Sequence, residues 1–182
     1  MGGSGSGKTS LLKIISGINK ADGDVILNEK NMIVPQKPVY LRGNVRNNLI
    51  EKNLTIEEKN WWLNEVGLLE FSDRDPRTLS GGELQRLNVA RCFASNANLM
   101  ILDEFTSNLD GPNVLQMESF ISEHTKRGGS VILATHNPIQ AKRISDKIFI
   151  MFDGTLVDEQ HPKISSLAVS YTHLTLPTNG CV

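Results

Sequence analysis

Apolar residues recur along this chain in two rhythms, and their alternation sets out the elements. Over Thr9–Ser16, Leu11, Ile14 and Ile15 fall at helical spacing, Ile18 continues the series, and Gly17 supplies a stop. Asp22-Gly23 turns the chain into a short strand, Asp24–Leu27, and Met32–Val34 reads as a second turn or strand broken by Pro35. Asn44–Leu49 and Ile56–Leu69 read as amphipathic helices, the latter with Trp61, Trp62 and Val66 among its apolar positions. Adjacent tryptophans cannot both face one core, so one of the two is free to face a partner. Leu99–Leu102 is apolar without interruption, as expected of a strand buried on both faces of a parallel sheet, and Val131–Ala134 repeats the pattern. Between them a helix is expected from about Val114 to Arg127, stopped by Gly128-Gly129. Pro138 then opens a helix capped by Asn137. Lys147–Phe152 and Thr155–Val157, joined by Asp153-Gly154, form a hairpin pattern.

Composition narrows the class. At 182 residues the chain is one domain with room for a core, and 19 basic against 20 acidic residues give a net charge of −1. No basic field marks a nucleic-acid binder, and no nucleic-acid partner is expected. Cys92 and Cys181 lack metal-ligand spacing; Cys92 sits in an apolar helical pattern, as a small buried hydrophobe in a reducing compartment would. The apolar runs are far shorter than the ~20 residues of a membrane span, and no secretory signal is seen. After Lys163 there is no Asp, Glu, Lys or Arg. Val169–Leu174 resembles the translation of a transposon-end adapter used in sequencing libraries. Residues 164–182 are therefore read as a tail, adapter-derived from about 168, and His161 and His173 carry no functional weight.

Chemistry concentrates at five places. Gly2-Gly3-Ser4-Gly5-Ser6-Gly7-Lys8-Thr9 fits the P-loop pattern G-x-x-x-x-G-K-[ST] without mismatch. Glycines let successive N–H groups curl around a polyphosphate, and the following helix points its positive end at the same anion. Lys8 is expected at the β/γ-phosphates and the Thr9 hydroxyl on Mg²⁺. A P-loop joins a strand to a helix, so the feeding strand, ordinarily in the middle of the sheet, is expected upstream of Met1. Ser80 and Glu83 form a capping box opening a helix, and Gly81 and Gly82 in its first turn suggest a close approach to the backbone by an anion. Asp103 and Glu104 end an apolar strand; Asp103 is assigned to the Mg²⁺ shell and Glu104 to the base that activates water. Gln36, between Pro35 and Pro38, is a candidate to ligate Mg²⁺ or orient a water. His136, at the end of the Val131–Ala134 strand, is a candidate donor to a γ-phosphate.

Together these motifs make the chain, from Gly2 to about Gly154, resemble the nucleotide-binding subunit of an ABC (ATP-binding cassette) transporter. Walker A is Gly2–Thr9, the Q-loop glutamine Gln36, the signature Leu79–Glu83, and Walker B Leu99–Asp103 followed by Glu104. The D-loop is Ser107–Asp110 and the H-loop residue His136. The resemblance implies an α/β P-loop NTPase fold. Its parallel sheet core is flanked by helices, a helical signature subdomain spans about 37–96, the antiparallel β region is trimmed, and the first core strand is missing. Residues 1–163 would be the nucleotide-binding domain. The resemblance also implies a Mg²⁺-dependent ATPase in which two copies meet head to tail. Gly2, Gly3, Ser4, Gly5, Ser6, Gly7, Lys8, Thr9 and Ser10 of one copy would hold ATP. Ser80, Gly81, Gly82 and Asp110 of the other would close on it. Catalysis would fall to Glu104, His136 and Gln36, and Mg²⁺ to Thr9, Gln36 and Asp103.

The implied partners are a second nucleotide-binding subunit, transmembrane subunits and, for an importer, a solute-binding protein, all at the cytoplasmic face of a membrane. The stretch around Thr135–Arg143 resembles oxyanion importers of the tungstate type, whereas Pro35–Arg46 resembles some exporters; direction leans to import. Phe105 stands where the family usually has Pro, a departure expected to shift the Glu104 loop. The family's adenine-stacking aromatic lies upstream of Walker A, so ATP binding is expected to be weak. The alternatives are a non-transport ABC ATPase of DNA repair or translation, and an inactive fragment. A gap of only 44 residues from Gln36 to Ser80, with no heptad run, speaks against the repair type.

Overall fold

The computed structural model describes residues 1–27 and 30–158; the expected tail, with His161, His173 and Cys181, lies outside them. Helix α1, Lys8–Ile15, is followed by strand β1, Asn31–Val34, helix α2, Ile56–Glu65, and helix α3, Gly81–Phe93. Strand β2, Leu99–Asp103, helix α4, Gly111–Lys126, strand β3, Ser130–Ala134, and helix α5, Pro138–Ile144, form the second half. A hairpin of β4, Phe149–Phe152, and β5, Thr155–Asp158, ends the described chain.

The parallel sheet runs β1-β2-β3, with Val34 opposite Leu102 and Leu102 opposite Leu133. All five residues of β2 are buried, as its uninterrupted apolar run requires of a central strand. Alternation then sorts the side chains into two layers. Leu99, Ile101, Ile33 and Ile132 pack with Leu12 and Ile15 of α1 on one face. Met100, Leu102, Met32, Val131 and Leu133 pack on the other with Leu87 and Ala90 of α3 and Met117, Phe120 and Ile121 of α4. The site residues sit at the carboxyl ends of these strands.

Several boundaries differ from the sequence pattern. Asp24–Leu27 is not a strand; Ile26 is 79% exposed and the segment pairs with no described strand, so its apolar run stays outside the core. Met32–Val34, instead, lies in the core sheet because it can pair with β2. Asn44–Leu49 is reduced to a 3₁₀ turn at Arg46–Asn48, held by the buried Asn48 side chain bonding Leu41 and Asn44 carbonyls. Ile56–Leu69 stops as a helix at Glu65, and Gly67, at φ 64°, carries the chain away. Helix α4 begins at Gly111 because Asp110 caps it, with its carboxylate accepting from the Asn113 N–H at 3.1 Å. Trp62 packs edge-on against Phe120, ring centroids 5.6 Å apart, while Trp61 stays exposed. Cys92 is buried, its thiol pushed up in pKa by that burial.

Candidate nucleotide and hydrolysis site

The loop before α1 curls as a phosphate cradle must. Gly7 caps the helix at φ 103° and Gly5 sits at φ 77°, conformations that a Cβ disfavours. A side chain at Gly2 would collide with the Met151 carbonyl oxygen, so this glycine also lets the loop lie against β4. Lys8 is buried beneath the loop, and its Nζ donates to the carbonyls of Gly2 at 2.7 Å and Gly3 at 2.8 Å. Ser6 Oγ donates to Gly3 O, stitching the loop further, while Ser4 and Ser10 are exposed along it.

Four chain segments meet beside Lys8. Asp103 closes β2 only 2% exposed, and its Oδ2 accepts from the Thr9 hydroxyl at 2.7 Å. Burial holds this carboxyl above its ordinary pKa; the Thr9 hydroxyl opposes the shift and the neighbouring Glu104 charge adds to it. Its other oxygen, Oδ1, is buried with no hydrogen-bond partner among the described residues. A hydroxyl and an orphaned carboxylate oxygen at one point are hard oxygen ligands that fit a Mg²⁺ ion.

Glu104 follows in the left-handed region at φ 47°, a costly conformation outside glycine. The turn is pinned from both sides. Its N–H donates to Ala134 O at 2.9 Å, and the next side chain, Phe105, is fully buried in the core while its carbonyl accepts from the Gln85 side chain. Phe105, where the family usually has Pro, thus anchors the Glu104 loop in the core. Glu104 is thereby aimed into a ring of donors. Gln36 Nε2 donates to Oε2 at 3.0 Å, His136 Nδ1 lies 3.2 Å from Oε1, and Lys8 Nζ 3.8 Å from the same oxygen. The imidazole remains 64% exposed, facing a 220 Å³ pocket shared with Ser107 and Asn137.

The structure therefore assembles Gly2, Gly3, Lys8, Thr9, Gln36, Asp103, Glu104 and His136 into one cluster. The signature lies elsewhere. Ser80 caps α3 in a reciprocal box with Glu83, whose carboxyl is held below its usual range by the Ser80 N–H. Ser80 and Gly81 are exposed, and a Cβ at Gly81 would meet open space. Gly82 has a reason within its own chain: a Cβ there would stand 3.1 Å from Asn108 O of the D-loop. The inference of an approaching anion from both glycines thus narrows to Gly81. Asp110 spends its carboxylate on capping α4, with Asn113 holding it below the usual carboxylate range.

Sequence reasoning missed the polar framework behind the cluster. Gln140 donates to Thr106 Oγ1 and to Glu118 Oε1, both at 3.0 Å, and accepts from Thr135 Oγ1 at 2.9 Å. Thr135 Oγ1 in turn accepts from the Asn137 N–H, which folds the backbone around His136. Arg143 grips Glu118 through two nitrogens. Spacing on α5 signals only that Gln140 and Arg143 share a face; their partners on α4 are distant in sequence.

With this geometry in view, the family model described as "ABC transporter" matches residues 1–107. The chain belongs to the ABC transporter family of ATP-binding proteins. It is 34% identical over 161 residues to an aliphatic sulfonates import ATP-binding protein, SsuB 3, of Rhodococcus jostii, covering 85% of this chain and 60% of that one. It is 33% identical over 178 residues to the putative ABC transporter ATP-binding protein YjkB of Bacillus subtilis, covering 87% and 71%. Among solved structures it is similar, with TM-score 0.73 and 24% identity, to a dimeric post-hydrolysis state of the ATP-binding cassette MJ0796 bound to ADP and Pi; the match covers 88% of this chain and 84% of that one. The same TM-score and identity relate it to a putative metal-chelate type ABC transporter, over 95% and 77%. The chain thus spans about 60% of the length of the sulfonate relative. The fold is that of a P-loop ABC ATPase, with a parallel sheet between helices and a small antiparallel sheet. Among the described residues no helix is long and apolar enough to cross a membrane.

Proposed function

We propose that this chain is the ATP-hydrolysing subunit of a membrane transporter and works as a head-to-tail pair. The observation that carries the reading is Glu104, held at the end of β2 between Lys8, His136 and Gln36 and directly beside the Thr9–Asp103 pair. In this reading the 2–10 loop wraps the phosphates of ATP with its N–H groups and Lys8 shifts from the Gly2 and Gly3 carbonyls to the β/γ-oxygens. Thr9, Asp103 and Gln36 would hold Mg²⁺, which when bound neutralises phosphate charge. Glu104 takes the proton of the attacking water, and His136 donates to the γ-phosphate and steadies Glu104.

Ser80 and Gly81 are exposed at the N-terminus of a 13-residue helix. A second copy supplies the phosphate they would meet, with Asp110 at the edge of the same contact. The dimeric ADP-bound relative supports this arrangement by its fold. In this scheme residues 1–163 form the nucleotide-binding domain, and the 37–96 region transmits its closure to transmembrane subunits at the cytoplasmic face. The sulfonate-import name of one relative favours import, with a solute-binding protein as a further partner.

The test is phosphate release from Mg²⁺-ATP. Glu104→Gln is expected to lose about 10²–10⁴-fold in turnover while binding ATP as before. Hydrolysis at the unaltered rate by the Gln variant would remove Glu104 from the role of base.

A further inference from the structure

The buried polar side chains between α4 and α5 do more than join two helices. Strands β2 and β3 are paired as far as Asp103 and Ala134, and the loops that leave them carry Glu104 and His136. His136 is 64% exposed, so packing does little to hold its ring 3.2 Å from Glu104 Oε1. The backbone on either side must set its place. Gln140, 3% exposed, crosses between the two loops. Its Nε2 donates to Thr106 Oγ1 on the Glu104 loop, and its Oε1 accepts from Thr135 Oγ1, the residue before His136. One acceptor sets the direction of these bonds. Glu118, buried and gripped by Arg143, has an oxygen 3.0 Å from the Gln140 amide, so Nε2 and not Oε1 must face it. With Nε2 spent on Glu118 and Thr106, Oε1 is left to take the single proton of the Thr135 hydroxyl. That hydroxyl oxygen then turns a lone pair to the Asn137 N–H, accepting it at 3.0 Å and closing the turn that carries His136.

We propose, resting on the reading of Glu104 and His136 as the hydrolytic pair, that Gln140 is a positioning residue for hydrolysis. It acts as a crossbar that fixes the separation of His136 from Glu104. Misplacing a reacting group by about 1 Å costs on the order of 10²-fold in rate. In the same reading ATP is held by the 2–10 loop rather than by the crossbar. Loss of Gln140 therefore lowers kcat and leaves KM for ATP in place.

The experiment uses the full chain and Mg²⁺-ATP. Gln140→Leu, close in volume but without polar atoms, is expected to lower kcat about 10–100-fold while KM changes less than about twofold. In a His136→Ala background the same substitution is expected to lower kcat by less than about twofold further. A substitution that merely loosened the fold would slow both backgrounds alike. Thr135 provides a second pair of variants should Gln140→Leu fail to fold. Thr135→Val is expected to slow turnover, and Thr135→Ser, which keeps the hydroxyl, to match the unaltered chain. A readout without nucleotide is the nitrogen resonance of the His136 ring, assigned by its loss in His136→Ala. Its Nδ1 signal in Gln140→Leu should move to the position seen in Glu104→Ala, where the bond partner is absent. The proposal is overturned by an unaltered kcat in Gln140→Leu, or by equal losses in both backgrounds. It is equally overturned by Thr135→Ser as slow as Thr135→Val, or by an unmoved Nδ1 signal. Unaltered turnover of His136→Ala alone would strike the hydrolytic reading of His136 itself, and the crossbar would fall with it.

Discussion

Asp103 and Glu104 are neighbours with opposite demands on the fold. Burial raises the pKa of Asp103, so the native state binds its proton more readily than the unfolded chain does. The sign follows: this contribution to stability is present in acid and is lost as pH rises through the native pKa. An ionised Asp103 therefore weakens the fold. Asp103→Asn is expected to raise the urea midpoint at pH 7, with little change near pH 3, while abolishing Mg²⁺-dependent hydrolysis. Denaturation at the two pH values, set beside phosphate release, checks both halves; a less stable variant at pH 7 would contradict the assignment. The pair was legible from the sequence because two carboxylates end an apolar run. The geometry of Glu104 was not: its left-handed turn depends on Phe105 filling the core and Gln85 holding the Phe105 carbonyl.

At the scale of elements, α3 separates structure from function within three residues. Ser80→Ala removes a cap and should cost about 1 kcal/mol in chemical denaturation. Gly81→Ala has open space and gains helix propensity, so stability should rise by up to about 1 kcal/mol; in the proposed pair ATP turnover should fall, because the added methyl would meet the partner's phosphate. Turnover unchanged in that variant would mean that the signature start touches nothing. The polar bracket joining α4 to α5 behaves differently. Arg143→Ala leaves Glu118, 6% exposed, without its two charge-assisted bonds, and the loss should be about 1–3 kcal/mol, reduced by the partial exposure of Arg143. Thermal unfolding would record it. Helices and buried strands were readable where the local signal was strong: helical spacing in α1, an unbroken apolar run in β2, and the Asn137-Pro138 cap in α5. Asp24–Leu27 is not a strand because a short apolar run after a turn becomes one only where a partner strand exists, and pairing is a tertiary fact. Likewise the capping box of α2, Thr55 with Glu58, stands in the sequence as T-x-x-E, yet the boundary at Glu65 is set by Gly67 rather than by the apolar pattern.

For the whole molecule, the sheet gathers four segments at one end, while Ser80 and Gly81 of the signature lie exposed. Gln36 from the end of β1, the Asp103–Glu104 pair from β2 and His136 after β3 converge on the loop before α1 because parallel strands present their carboxyl ends together. In the proposed head-to-tail pair, one chain would hold half of an ATP site and the complementary half of a second one. Sedimentation of the Glu104→Gln variant, with and without Mg²⁺-ATP, tests this most directly, because a chain that binds without hydrolysing should remain closed. With ATP the mass should rise to roughly twice the 20.1 kDa of the single chain, and Gly81→Ala in the same background should prevent it. A particle that stays at the single-chain mass while saturated with ATP would contradict the shared site.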